Sequence, residues 1–452
     1  MVLLLIVIYV AFIGLGLPDT ILGAAWPLMQ KDLAAPLSAV GLLSIIVSMG
    51  TIVSSLLTPG FMRLLGTGKL VSISIAFTAV AAAGYGFSTN FGVMCLWAIP
   101  MGLGAGAIDV ALNNFAAIYL ESKHTNWLHA SWGVGACLGP AILSASVFLG
   151  TGWRGAYELN AILLAFIVVL MVATLPLWKR VEKRSCENTK EKDGKIGAKK
   201  TSEKNASRDI SLREALRVPG VKLSFLTFFF YSSLEISTGL WCGTYLVCRG
   251  LEPGVGALAV SLMFASVMIG RIVSGFFAIK FTDVRLVHAG IAIVIVGCFA
   301  LVLPLPLWFT PVCICLLGFG CAPVYPSLIH ATPARFGEEL SGRAIGIQMA
   351  GSYVGTVIMP PAFGFMAAHF SVMLWPVALA IFVGCLLACV CLLDYVTRKK
   401  LNNAFAAERI MDVIHQVEAM EEARRKLRRE RRRAKRKAKM RQRKMKENFS
   451  HF

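Results

Sequence analysis

Apolar segments of about 20 residues recur along most of the chain, and this pattern limits the possible folds more than any other feature. A helix of that length spans a hydrocarbon core of about 30 Å. Lipid offers peptide groups no partner outside their own segment, so the segments are expected to be helical. The sequence therefore predicts an all-α membrane protein with twelve transmembrane helices. Their predicted ranges are 3–29, 37–59, 68–88, 91–120, 126–150, 155–178, 220–248, 254–279, 285–303, 305–333, 341–368 and 371–394.

Basic residues are unevenly distributed among the connections between these segments. One set of alternate connections is rich in them, and by the positive-inside rule that set faces the cytoplasm. Both termini then lie in the cytoplasm, and we expect a multi-pass protein of a plasma or bacterial inner membrane. The basic residues of this set are Arg63, Lys69, Lys123, Lys280, Arg285, Arg335 and Arg343, with those of the segment 179–217 and the tail, and the opposite set holds Lys31, Arg154 and Arg249.

Two polar segments interrupt and follow the apolar body. They carry net charges of +6 over 179–217 and +13 over 398–452, out of +20 for the chain, so the body itself is close to neutral. Apolar residues at helical spacing in the tail favour a helix on anionic lipid, with a short coiled coil and a solvated helix as the alternatives. A nucleic-acid partner is not expected, and we expect a monomer. The predicted regions are a first bundle at 1–178, a flexible cytoplasmic linker at 179–219, a second bundle at 220–394 and a basic cytoplasmic tail at 395–452.

The apolar body contains an internal repeat. The stretch PDTILGAAW in the first segment returns as LEISTGLW in the seventh, which aligns Asp19 with Glu235 at an offset of 216 residues. Gly135 in the fifth segment is similarly echoed by Gly355 in the eleventh. Parallel halves of this kind are typical of proteins that rock two bundles about a site near the bilayer midplane. The sequence thus predicts two pseudo-symmetric six-helix bundles.

Three carboxylates lie deep within the apolar segments: Asp19, Asp109 and Glu235. An ionised carboxylate at the bilayer centre costs at least about 2.5 kcal/mol, so such groups usually face a polar interior and serve a function. Apolar surroundings favour the protonated form of a carboxylate, so these groups are candidates for proton coupling. A bound sodium ion and a purely structural role in linking helices are the alternatives. Glu158 lies near the outer end of the sixth segment, where we expect it to reach water.

A polar face begins the fifth segment. In NWLHASWGVGACLGP, helical spacing places Asn126, His129 and Trp132 on one side. An indole plate beside an imidazole edge suits a sugar-like solute. The structural alternatives are a histidine that bonds a backbone carbonyl and a tryptophan that anchors at the membrane interface.

Together these features resemble the major facilitator superfamily, and within it the fucose:proton symporter family and related sugar-porter-like proteins. The similarity covers residues 1–395, and its most specific part is GLGAGAIDVALNNF followed by NWLHASWGVGACLGP. The resemblance implies that Asp19 and Asp109 take part in proton coupling and solute recognition, and that Asn113 lines the solute site. His129 and Trp132 stand where that family has a glutamine and an asparagine, so the solute need not be fucose.

The same resemblance identifies two cytoplasmic loops with a gating role. The stretches GFMRLLGTGK and GFFAIKFTDVR are similar to the loop signature of the superfamily, although the first lacks its usual aspartate. Arg271 is the basic residue clearly within an apolar segment, and we assign it to the same cytoplasmic latch. Neutralisation of Glu235 is the alternative role for Arg271. The loop residues with an implied gating role are Arg63, Lys69, Lys280 and Arg285.

The expected function is secondary active transport, by proton symport of a sugar or a similar small polar solute through alternating access. No cofactor is expected beyond a proton or sodium gradient. Proton-antiport efflux of drugs or metabolites would use the same carboxylates and is the main alternative, and a membrane sensor that signals through its tail is another. We do not expect an enzyme, because the sequence has no arrangement of serine, histidine and acid above background. It also has no metal motif, and its scattered cysteines are typical of apolar packing.

Overall fold

The computed structural model describes residues 2–120, 122–178, 180–181 and 212–398. In these ranges the chain consists of helices and short connections, without strands. The chain up to Leu393 forms one compact unit. The helices are α1 (Val2–Asp19), α2 (Ile21–Asp32), α3 (Ala39–Leu65), α4 (Thr67–Gly86), α5 (Phe91–Tyr119), α6 (Ser122–Phe148), α7 (Gly152–Ala173), α8 (Leu212–Ala215), α9 (Val221–Cys248), α10 (Pro253–Phe277), α11 (Asp283–Val302), α12 (Thr310–Cys321), α13 (Val324–His330), α14 (Thr332–Phe336), α15 (Glu338–His369) and α16 (375–398).

Twelve helical spans in the described part are long enough to cross a membrane. α1 and α2 together form the first span, and α12 with α13 form the tenth. Ten of the twelve are also apolar enough to be recognised as membrane spans by composition. The other two, α9 and α15, contain many small and polar residues, but they are 28 and 32 residues long and pack against each other. The predicted all-α membrane architecture is confirmed.

The first span is broken in the middle, where the sequence pattern predicted one continuous helix. α1 ends at Asp19 and α2 begins at Ile21. Pro18 contributes to this break because its ring carries no N–H for a helical hydrogen bond. The hydroxyl of Thr20 donates a hydrogen bond of 2.7 Å to the carbonyl of Ala136, which fixes the break against the fifth span.

The tenth span is also divided, although the pattern predicted one helix over 305–333. A short 3-10 turn, Leu307–Phe309, precedes α12. α12 then ends at Cys321 and α13 begins at Val324, with Pro323 between them. The proline explains the division, since it disrupts the helical hydrogen bonding of the preceding turn.

Glycine contacts confirm the internal repeat. A Cβ on Gly135 would overlap the carbonyl of Ile13, where α6 crosses α1. A Cβ on Gly355 would overlap the carbonyl of Phe229 in the same way, where α15 crosses α9. Small residues let helix backbones approach closely in membranes. The first and fifth spans therefore pack as the seventh and eleventh do.

Residues 2–178 form one half and residues 221–393 the other. The backbone contacts between the halves described next lie in the part of the spans from the middle to one end. A Cβ on Gly23 of α2 would lie 2.5 Å from the carbonyl oxygen of Gly239 in α9. The hydroxyl of Ser261 in α10 donates a hydrogen bond of 2.8 Å to the carbonyl of Cys137 in α6. These contacts lie toward the span ends that adjoin the connections 33–38, 149–151 and 249–252.

The structure describes only part of the predicted linker. Ala215 of α8 is buried in an apolar cluster with Phe336 and Leu340, so this end of the linker packs against the second half. The rest of the linker, apart from residues 180–181, lies outside the described residues, as does the tail from 399 onward with its predicted lipid-binding helix.

Candidate functional site

Asp19 lies where α1 ends, at the break in the first span. It is exposed, although Pro18 and Thr20 on either side are buried. Its Oδ2 accepts a hydrogen bond of 3.0 Å from the indole Nε1 of Trp132 in α6. The break in the helix therefore presents the carboxylate to the fifth span.

Trp132 connects this carboxylate to the second half. Its ring meets the ring of Phe264 edge to face, with 6.4 Å between the centroids. The guanidinium of Arg271 lies 5.6 Å from the centroid of the same indole, within the range of a cation–π contact. Since both partners belong to α10, the exposed carboxylate of Asp19 lies at the boundary between the halves. The region lined by these residues is called the cavity below.

Arg271 and Glu235 form an ion pair within the second half. The distance from Nη2 of Arg271 to Oε1 of Glu235 is 3.5 Å, and both side chains are partly buried. Glu235 also neighbours Tyr231 on its own helix and Tyr325 of α13. The structure thus places Arg271 beside Glu235, in the position that its alternative role in the sequence analysis requires.

Asp109 and Asn113 form the side of the cavity contributed by α5. The amide of Asn113 donates a hydrogen bond of 2.8 Å to Oδ1 of Asp109, one helical turn away. Asp109 lies within electrostatic range of Asp19 in its own half and of Tyr325 and Tyr353 in the second half. Asp19 is thus near Asp109, and Tyr325 is near both Asp109 and Glu235, so the three carboxylates belong to one cluster of polar groups. Their coupling role stays a prediction.

His129 lies one turn before Trp132 on α6 and is exposed. Its imidazole meets the ring of Phe12 edge to face, with 6.1 Å between the centroids, and lies within electrostatic range of Arg271. The predicted polar face is thus present at His129 and Trp132. The side chain of Asn126 lies outside the described residues.

The predicted gating residues of the loops lie away from this cluster. Arg63 is on the last turn of α3 and Lys69 on the first turn of α4. Lys280 and Arg285 lie in and just after the connection between α10 and α11. All four are exposed. Their gating role stays a prediction.

Sequence reasoning missed two tyrosines of the cavity, Tyr325 and Tyr353. The internal repeat held a signal for the first, because the offset of 216 that aligns Asp19 with Glu235 also aligns Asp109 with Tyr325. No comparable signal marked Tyr353. It lies on the eleventh span, where glycines dominate the pattern.

The cavity offers several kinds of contact to a small polar ligand. Carboxylates, an amide and phenolic hydroxyls can bond hydroxyl groups, and the indole offers an apolar plate. Among the described residues, no group of three histidine, cysteine or acidic side chains is placed to hold a metal ion.

Two parallel helical bundles with polar groups at their interface in a membrane protein are typical of a secondary transporter. The sequence profile of the Major Facilitator Superfamily matches residues 8–310 and 249–436, and the chain belongs to that family. The predicted family is confirmed. Its members are transporters, not enzymes, and the chain is a multi-pass membrane protein.

Curated relatives are distant and match in part. Synaptic vesicle glycoprotein 2B of Rattus norvegicus is 25% identical over 177 residues, which are 38% of this chain and 26% of that protein. Bypass of stop codon protein 6 of Saccharomyces cerevisiae is 24% identical over 292 residues, which are 61% of this chain and 56% of that protein. The chain thus spans about a quarter of the length of the first relative and about half of the second.

Solved structures share the fold over most of the chain. A D-xylose-proton symporter superposes with a TM-score of 0.68 at 13% identity, covering 86% of this chain and 96% of that one. The nucleoside transporter NupG superposes with a TM-score of 0.66 at 13% identity, covering 88% of this chain and 100% of that one. At these identities the similarity establishes the fold alone.

Proposed function

We propose that this chain is a proton-coupled secondary transporter that moves a sugar or a similar small polar solute by symport. The observation that carries the proposal is the position of Asp19. Its carboxylate opens into the cavity between the halves and is bonded by an indole that also contacts the second half. A change of charge at this carboxylate would therefore act on the interface that must rearrange during transport.

Asp19, Asp109 and Glu235 are the groups that carry the coupling protons in this proposal. A proton on each carboxylate removes a negative charge from the site, and Arg271 supplies a positive charge beside Glu235. His129, Trp132 and Asn113 contact the solute, and Asn126 lies one turn before His129 on the same helix. Sodium in place of the proton would require the same carboxylates.

The proposed orientation follows from the basic connections, with both termini in the cytoplasm of a plasma or bacterial inner membrane. The contacts between the halves then lie toward the outside, and the cavity opens toward the cytoplasm. Arg63, Lys69, Lys280 and Arg285 lie at the cytoplasmic rim in this orientation. We propose that they meet acidic or backbone partners when that side closes.

The test begins with a thermal-shift screen of the purified protein against sugars, polyols and amphiphilic cations. The stabilising solute is then added outside proteoliposomes while the pH of the medium is recorded. Symport predicts that the medium becomes alkaline as the solute enters. Acidification would show antiport, and sodium-dependent uptake without a pH change would show sodium coupling, and either result would contradict the proposal.

Deletion of residues 399–452 distinguishes a transporter from a membrane sensor that signals through its tail. Transport should survive this deletion, because every residue of the proposed site precedes it. Solute binding without any solute movement in the intact chain would favour the sensor.

A further inference from the structure

The guanidinium of Arg271 has more hydrogen-bonding capacity than its surroundings use. It carries five N–H donors, and a close contact between a guanidinium and a carboxylate measures about 2.7–2.9 Å. Among the described residues, the acceptor it meets is Glu235, at 3.5 Å through one nitrogen. A quarter of the Arg271 side chain is exposed, at 25%. The cavity therefore holds a cation that is paired loosely and remains accessible.

The groups around Arg271 favour a bound anion at this end of the cavity. The indole of Trp132 covers one side of the guanidinium, which limits its contact with water. His129 lies within electrostatic range and adds two nitrogen atoms that can bond a ligand. The acidic groups Asp19, on α1, and Asp109, on α5, are suited to accept hydrogen bonds from the hydroxyl groups of a ligand.

We propose that Arg271 binds the carboxylate of the transported solute, and that the carboxylate of Glu235 pairs with Arg271 until Glu235 takes up a proton. The inference rests on the proposed function and names its substrate class, which is a sugar acid, a solute with one carboxylate and several hydroxyl groups. The carboxylate would face Arg271 and His129. The hydroxyl groups would face Asp19, Asp109 and Asn113, with the sugar ring on the plate of Trp132.

The proton and the solute bind together in a balanced step. A proton from water binds an oxygen of Glu235, and the ionic contact from Glu235 to Arg271 is lost. The solute carboxylate then takes the free donors of Arg271, so this step at Glu235 adds one proton and one anion to the site without net charge. On release, the solute leaves, the proton returns to water, and Glu235 pairs with Arg271 again.

Among the described residues, other titratable groups lie near Glu235 and Arg271 on the fifth, seventh and tenth spans. Tyr231 is on the helix of Glu235, and Cys321 and Tyr325 face it from the tenth span. His129 faces Arg271 from the fifth span. Because binding linkage is reciprocal, a bound anion must favour the proton on Glu235 as much as the proton favours the anion.

The test compares matched solutes on the full-length purified protein. Glucuronate is compared with glucose, and galacturonate with galactose, by thermal shift and calorimetric titration at about pH 6 and about pH 8. We expect the acid of each pair to bind about tenfold more tightly or better, as a charge-assisted contact warrants. Its affinity should be higher at the lower pH. Equal binding of both members, or binding of neither, would overturn the inference.

Two substitutions should move the affinity in opposite directions. Arg271→Gln removes the cation and should abolish the preference for the acid, while Arg271→Lys should restore part of it. Glu235→Gln removes the competitor and should raise the affinity for the acid and flatten its pH dependence. The matched controls are Arg249→Gln, where Arg249 lies beside Tyr245 and Thr310, and Glu158→Gln on α7. They should leave the preference unchanged.

The two proposals fail in different ways. If Arg271→Gln keeps the wild-type preference, the anion site is wrong, although proton-coupled transport of a neutral solute can stand. If the acid binds as predicted but its transport moves no protons, the anion site stands and the proposed symport is wrong. Loss of affinity in Glu235→Gln would contradict the competition between Glu235 and the solute.

Discussion

The indole Nε1 of Trp132 donates a hydrogen bond to Oδ2 of Asp19 at 3.0 Å, and the same ring lies beneath the guanidinium of Arg271. One side chain of the first half thus contacts a carboxylate of its own half and a cation of the other. Rigid side chains in direct contact transmit a change of charge or position over short distances. We therefore expect substitutions at Asp19 and Trp132 to depend on each other.

A double-mutant cycle tests this dependence. Trp132→Phe keeps a ring at the site and removes the N–H donor, and Asp19→Asn removes the charge that the donor contacts. We expect a coupling free energy of about 1 kcal/mol or more in solute affinity, because the two groups share a hydrogen bond. Calorimetric titration of the four proteins measures it. Trp153→Phe, combined with Asp19→Asn, is the control pair and should be additive.

Cross-linking of the two halves should stop transport. The Sγ of Cys137 lies 3.4 Å from the hydroxyl oxygen of Ser261, so Ser261→Cys places two thiols face to face across the interface. We expect a disulfide to form under mild oxidation, with loss of solute uptake that a reductant restores. Mass spectrometry of peptides and uptake in proteoliposomes measure both. Cys137→Ala with Ser261→Cys is the control, and loss of uptake there on oxidation would contradict this interpretation.

Gly23 should be required for close contact of the first and seventh spans. In Gly23→Ala, the added Cβ would lie 2.5 Å from the carbonyl oxygen of Gly239 and 2.6 Å from the Cα of Leu240. Overpacking of this kind costs about 1–3 kcal/mol, so the closed contact should become roughly 5- to 150-fold less populated. Distance measurements between spin labels on the two halves test this shift.

The matched control for Gly23 is Gly60→Ala. Gly60 also lies within a helix, and a Cβ there would meet no atom within 4 Å. We expect wild-type distances and uptake from this variant. A wild-type distance distribution in Gly23→Ala would show that the backbone contact is not needed for closure.

The sequence predicted the helices and the acidic residues of the site because both depend on local properties. Apolar length indicates a membrane span, and a carboxylate within such a span is conspicuous at Asp19, Asp109 or Glu235. The internal repeat placed two of these, Asp19 and Glu235, in equivalent positions. These predictions required no knowledge of which helices pack together.

The position of Arg271 depends on packing and could not be read from the sequence. Its position along α10 lies between the membrane centre and the cytoplasmic end. The sequence pattern therefore agreed equally with a role in the cytoplasmic latch and with a role as the partner of Glu235. The contact with Trp132 follows from the packing of α6 on α10. The break at Thr20 similarly depends on a hydrogen bond to Ala136 in a distant segment, in addition to the local effect of Pro18.

Proton movement driven by solute in proteoliposomes tests the central claim most directly. Wild-type protein, Asp19→Asn and Asp109→Asn are compared with Glu158→Gln, whose exposed carboxylate lies outside the cavity cluster. The account predicts that solute addition alkalinises the medium with the wild type and Glu158→Gln. Asp19→Asn and Asp109→Asn should each lose this signal, while downhill solute exchange continues. Wild-type proton movement in both aspartate variants would contradict coupling through these carboxylates.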